Sequence, residues 1–155
     1  MPDVTDSHLY STWETTPVRW GDMDAFGHIN HATYFTYLET ARMQYFIKID
    51  LDRHGQNHEF GPVVASATCN FRRQVRFPAT LQVGVRTSEV RTRSFMLEYV
   101  VLQPVGEQFE VVADGTTAVV WINIATGKAV ALPEELQQAI HHVEAQRTGP
   151  VSTET

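Results

Sequence analysis

Val63-Val64-Ala65-Ser66-Ala67-Thr68-Cys69-Asn70-Phe71 is where the chain stops reading as helix and starts reading as sheet. Val63, Ala65, Ala67, Cys69 and Phe71 fall on one side of an extended backbone, and Val64, Ser66, Thr68 and Asn70 on the other. That is the period of two that a strand imposes on its side chains. The alternation continues downstream. Leu81, Val83 and Val85 alternate with Gln82, Gly84 and Arg86, and Phe95, Leu97, Tyr99 and Val101 alternate with Met96, Glu98 and Val100. Turn signals at Phe77-Pro78-Ala79 and Pro104-Val105-Gly106-Glu107 separate the runs and leave one long last strand from Gln108 to about Ile124, broken by Thr126-Gly127-Lys128.

Upstream the pattern is different. Trp13–Trp20, with Thr15, Thr16, Val18 and two tryptophans, predicts a first strand that stops at Gly21. Gly21–His31 holds two glycines and two aspartates and reads as a structured loop. Tyr34, Tyr37, Leu38, Ala41 and Tyr45 then recur at helical spacing, which predicts an amphipathic helix over His31–Ile47 with Asn30 as its N-cap. Leu51–Phe60 reads as a polar connection, and Pro133-Glu134-Glu135 opens a second helix with Leu136, Ala139, Ile140 and Val143 on one stripe. The order strand, long helix, four strands, short helix is α+β without repeated βαβ units. It predicts an antiparallel sheet of about five strands wrapped round one long helix, the arrangement called the hotdog fold. One helix covers about one face of such a sheet. The uncovered edge or face predicts at least a homodimer, either alone or paired as a dimer of dimers into a homotetramer.

The bulk numbers limit what the chain does. Its 155 residues, 43% hydrophobic and 19% charged, make one domain, expected over 13–146 with flexible tails at 1–12 and 147–155. A chain of this length buries about 68–70% of its unfolded surface, enough for a core without disulfides or structural metal. The single Cys69 and the lack of a charged-then-apolar start predict a cytoplasmic protein. No apolar run approaches the ~20 residues needed to span a bilayer. Eighteen acidic against twelve basic side chains, a net charge of −6, argue against nucleic acid as the main partner.

The loop carries the chemistry. Asp22-Met23-Asp24-Ala25-Phe26-Gly27-His28-Ile29-Asn30-His31-Ala32-Thr33-Tyr34, followed by Tyr37, Glu39, Ala41 and Arg42, resembles the signature of the 4-hydroxybenzoyl-CoA thioesterase family of hotdog acyl-CoA thioesterases. The element order over roughly residues 13–143 is similar as well. The resemblance implies hydrolysis of an acyl-CoA thioester to a free acid and coenzyme A, with no metal and no cofactor. It places the catalytic carboxylate at Asp24, as general base or nucleophile, and the oxyanion donor at the main-chain N–H of His31. Physical chemistry agrees with both assignments. Thioester hydrolysis needs a base or nucleophile at the carbonyl carbon and a positive field at the developing oxyanion. The first turn of a helix offers free N–H groups and roughly +0.5 charge. Gly27 would let backbone approach substrate without a Cβ in the way. Asp22 is expected to hydrogen-bond the loop.

His28, Asn30 and Tyr34 are expected to line the substrate. His28 and His31 have a metal-like spacing, yet no third ligand stands beside them. Glu39 and Arg42, three apart, read as an ion pair with a structural role. Arg91 and Arg93 resemble the family segment that holds the nucleotide phosphates, and Arg72, with Arg73 and Arg76, is a competing basic cluster. His54 and His58, His141 and His142, and Ser66 and Ser94 carry no recognisable catalytic or metal pattern, and Cys69 reads as an inert buried thiol. The alternatives are a hydratase or dehydratase on the same fold, whose motifs are absent here, and a non-catalytic acyl-CoA-binding module.

Overall fold

A computed structural model describes residues 8–150. The strands are β1 (Thr12–Pro17), β2 (Phe60–Phe71), β3 (Thr80–Val90), β4 (Ser94–Val105) and β5 (Gln108–Asn123). The helices are α1 (His31–Lys48), the single turn α2 (Leu51–His54) and α3 (Glu134–Glu144), and a short 3₁₀ turn occupies Trp20–Asp22. The strands form one antiparallel sheet in the order β1-β3-β4-β5-β2, so β1 and β2 are its edges. This is the expected α+β arrangement of five strands, one long helix and a short C-terminal helix.

The long helix forms where the spacing predicts it. Asn30 has extended backbone, and its side-chain oxygen accepts from Ala32 N–H. Tyr34, Tyr37, Leu38, Ala41 and Tyr45 are buried on its inner face, against Leu81, Val83 and Val85 of β3 and Phe95, Leu97 and Tyr99 of β4. Leu38 is fully enclosed, and replacing such a residue by alanine costs about 2–5 kcal/mol. Close approach is needed at Gly115 of β5, where a Cβ would stand 2.3 Å from the Thr68 carbonyl oxygen and 3.3 Å from Leu38. α3 adds Leu136, Ile140 and Val143 to the same core.

Three local expectations are revised. The first strand ends at Pro17, and Val18 N–H turns to the Ala79 carbonyl. Within the supposed polar connection, Leu51 is buried and α2 forms, before Gln56, Asn57 and His58 run through positive φ. Along β2, residues Val63–Thr68 are exposed on both sides rather than on one. The alternation there is real, but α1 lies over the β1–β3 side of the sheet and leaves this edge uncovered. The expected flexible ends also fail in part. Tyr10 and Thr148 exchange two backbone hydrogen bonds of 2.9 Å, and Ser11 donates to Glu144, so the chain near both ends is clasped. The remainder of those two tails, 1–7 and 151–155, lies outside the described residues. Among the described residues no helix is long and apolar enough to cross a membrane.

Candidate active site

The loop from Asp22 to α1 is built by its two aspartates in different ways. Asp22 is 4% exposed, and its carboxylate accepts from Arg19 N–H at 2.9 Å, Arg19 Nη2 at 3.3 Å and the Tyr37 hydroxyl at 2.7 Å. Burial pushes its pKa up, but the hydrogen bonds from Arg19 and Tyr37 and the Arg19 charge outweigh this and hold the carboxyl below its ordinary value. Its own carbonyl accepts from Asn30 N–H at 2.9 Å. Asp22 therefore ties the start of the loop to both the cap and the second turn of α1, as expected.

Asp24 faces the other way. Its Oδ1 accepts from Phe26 N–H at 2.9 Å and His28 N–H at 3.3 Å, which leaves Oδ2 without a hydrogen-bond partner among the described residues. Asp24 N–H donates to the His28 carbonyl and Gly27 N–H to the Asp24 carbonyl, closing a tight turn in which Gly27 sits at φ 81°. A side chain at that φ is strained, which is the local reason for a glycine there. Ile29 N–H donates to the Val75 carbonyl and pins the far side of the loop.

At the start of α1 the cap consumes the next donors. Ala32 N–H goes to Asn30 Oδ1 and Thr33 N–H to the Asn30 carbonyl, whereas His31 N–H finds no acceptor among the described residues. A free N–H at the first position of an eighteen-residue helix is the positive end of its dipole.

These groups meet in one cleft of about 840 Å³, lined by Asp24, Phe26, His28, Ile29, His31, Tyr34, Phe71, Arg72, Arg73 and Gln74. Of the residues singled out from sequence, Asp24, His28, His31, Tyr34 and Arg72 come together here. Asn30 and Gly27 shape the turn behind them. Tyr34 is 2% exposed, and burial, with Cys69 after it, raises its hydroxyl to about 12, so it stays a donor. Arg72 reaches the cleft with its guanidinium on Asp114, Nε to Oδ2 at 2.9 Å, and Arg73 pairs with Glu110 at 3.4 Å. Both basic groups at the rim are thus partly neutralised by β5.

Arg91 and Arg93 are not in this cleft. They occupy the turn between β3 and β4, where Arg91 pairs with Glu89 at 3.0 Å and the Arg93 carbonyl accepts from Trp121 N–H. Phe71, at the cleft, pairs with Ala113. Trp121 lies eight positions along β5 from Ala113, about 26 Å at a strand rise of ~3.3 Å. The two arginines therefore stand at the opposite end of the sheet. Glu39 and Arg42 approach to 3.7 Å, while Arg42 is buried and donates to the Tyr99 hydroxyl. Cys69 is half-buried, and burial followed by Asp114 lifts its thiol to about 11, which suits an inert packing role. Phe26, Ile29 and Phe71 are cleft residues that sequence reasoning did not single out. Phe71 gave a signal only as the last member of an alternating run.

The model of the thioesterase-like superfamily matches residues 18–140, which include the whole Asp22–Tyr37 region. The chain belongs to the thioesterase-like superfamily. This thioesterase-like chain is 34% identical to YsmA of Bacillus subtilis over 92% of its own length and 93% of the relative's. It is 30% identical to the long-chain acyl-CoA thioesterase FadM of Escherichia coli, over 81% and 94% respectively. Among solved structures, a Thermus thermophilus thioesterase complexed with coenzyme A and zinc superposes with a TM-score of 0.76 at 29% identity, covering 88% of this chain and 96% of that one. Among the described residues of the thioesterase-like chain, no three His, Cys, Asp or Glu side chains converge.

Proposed function

We propose that the protein hydrolyses an acyl-CoA thioester to the free acid and coenzyme A, with Asp24 as general base or nucleophile and His31 N–H as the oxyanion donor. One observation carries this reading. A carboxylate held through one oxygen by two backbone N–H groups, with the other oxygen free, shares a cleft with a free N–H at a helix start. The superfamily membership and the names of the relatives support the same class of reaction.

The chemistry follows from those groups. The thioester carbonyl oxygen lies toward His31 N–H, where the N-terminal end of α1 stabilises the charge that develops on it. Asp24 Oδ2 either attacks the carbonyl carbon or takes a proton from a water that does. On the nucleophilic route the C–S bond is replaced by an anhydride bond to Asp24, which water then cleaves to free acid and Asp24. On the general-base route the water oxygen bonds to the carbonyl carbon as the C–S bond breaks. On both, a proton from water ends on the thiolate sulfur of coenzyme A. Tyr34 and His28 shape the cleft around the acyl group, and Asn30 holds the turn behind it.

The working unit of this proposal is a homodimer. β2 is an uncovered edge from Val63 to Thr68, and α1 exposes Phe35, Met43 and Ile47 beside it. Antiparallel pairing of two β2 edges about a two-fold axis brings the opposite end of one sheet next to the cleft of the other. Arg91 and Arg93 of the partner subunit would then face the Asp24 cleft, where the phosphates of coenzyme A need a cation. The lone Cys69 keeps the proposed location in a reducing cytoplasm.

The test is thiol release from a panel of aromatic, short-chain and long-chain acyl-CoAs. Turnover of at least one acyl class supports the reading and ranks the acyl groups. No release from any member overturns it.

A further inference from the structure

The ring of His31 lies flat on the ring of Phe71, with centroids 4.2 Å apart and an interplanar angle of 13°. Tyr34, one turn along α1, meets the same Phe71 ring edge-on at 5.4 Å and 61°. Phe71 thus touches the first and fourth residues of α1 at once. It is 39% exposed, so core burial does not account for a phenylalanine at this position.

Phe71 is itself well anchored. It ends β2 in register with Ala113, and the next two residues, Arg72 and Arg73, both donate their N–H to the Val112 carbonyl, at 2.8 and 3.1 Å. The N-terminal residue of α1 is less well held. Asn30 caps Ala32 and Thr33 behind it, and the His31 side chain makes no hydrogen bond among the described residues. The stack, with the Tyr34 contact beside it, joins the start of α1 to the fixed end of the sheet, across the cleft that both line.

We propose that Phe71 is a positioning residue, whose ring holds His31, and with it the free His31 N–H, in place over the cleft. The proposal rests on the thioesterase reading of that cleft. Hydrogen-bond donors act on a transition state through placement, so loosening the stack lowers kcat more than it weakens ground-state binding. An offset aromatic pair exceeds its simple burial by an amount that corresponds to about 2- to 12-fold in rate.

The experiment compares Phe71→Leu, Phe71→Tyr and Asp24→Asn on the acyl-CoA that the wild type hydrolyses fastest. Phe71→Leu should lower kcat by about 2- to 12-fold with KM within about twofold, and Phe71→Tyr, which keeps the ring, should restore it. In the wild type, NMR should show cross-peaks between the ring protons of Phe71 and His31, a readout that needs no variant. Unchanged kcat in Phe71→Leu overturns the proposal. So does a rise in KM at constant kcat, which would make Phe71 a wall of the substrate site. Missing cross-peaks overturn it as well. No thiol release from the wild type overturns the thioesterase reading, and full activity in Asp24→Asn overturns the role of Asp24 in this cleft, so these failures are distinct from the failure of the Phe71 proposal.

Discussion

Tyr37→Phe removes one oxygen, and the consequence can be worked from the Asp22 network. The Tyr37 hydroxyl donates at 2.7 Å to a carboxylate that is 4% exposed, so the lost bond is charge-assisted and shielded from water. Bonds of this kind contribute about 1.5–3 kcal/mol, and the ring itself stays packed, so no cavity adds to the loss. For a chain of this size that corresponds to roughly 3–12 °C in Tm. The pH dependence carries the sharper sign. Asp22 is held below its ordinary value, so its contribution is fully present above the unfolded carboxylate pKa of about 3.9 and is lost as pH falls through the lower folded value. Once Asp22 is protonated, the Tyr37 bond is between neutral groups and contributes only about 0.5–1.5 kcal/mol. Urea unfolding of wild type and variant at neutral pH and at successively lower pH should therefore show a difference that shrinks on acidification. A difference below about 0.5 kcal/mol at neutral pH, or one that is the same down to the lowest pH at which the protein folds, refutes the reasoning.

Two further outcomes concern the scaffold. Asn30→Ala deletes the oxygen that accepts from Ala32 N–H and should cost about 0.5–2 kcal/mol, read by thermal unfolding, with Asn30→Gly costing less. Gly115→Ala places a Cβ 2.3 Å from the Thr68 carbonyl oxygen, so β2 must move away from β5; denaturant unfolding should show a loss of about 1–3 kcal/mol or more.

Much of this molecule is legible in its residue spacing, and the exceptions have physical causes. The start of α1 follows from Asn30 and the helical spacing of Tyr34, Tyr37, Leu38 and Ala41, because capping and amphipathic packing are both local. The strands follow from alternation for the same reason. What alternation does not report is which strand lies at an edge, and so Val63–Thr68 read as half-buried where the sheet in fact leaves them open. Arg91 and Arg93 show a related limit. Their chemistry suits phosphates, but their distance from Asp24 depends on strand order and register, which no short motif contains. Phe71 reads as one more core residue of a strand, and its stack on His31 becomes visible only when the end of β2 is set against the start of α1. For Asp24 the motif gives the residue, and the structure adds that Oδ1 is tied down while Oδ2 is free.

The central claim rests on that free oxygen. The most direct measurement is the kcat of Asp24→Asn against wild type on the same acyl-CoA, with Tm recorded for both. Replacing the carboxylate by an amide keeps Oδ1 for the Phe26 and His28 N–H groups, so the fold and Tm should hold, while kcat should fall by about 10²–10⁴. A variant that keeps its Tm and turns over within about twofold of wild type would contradict the account.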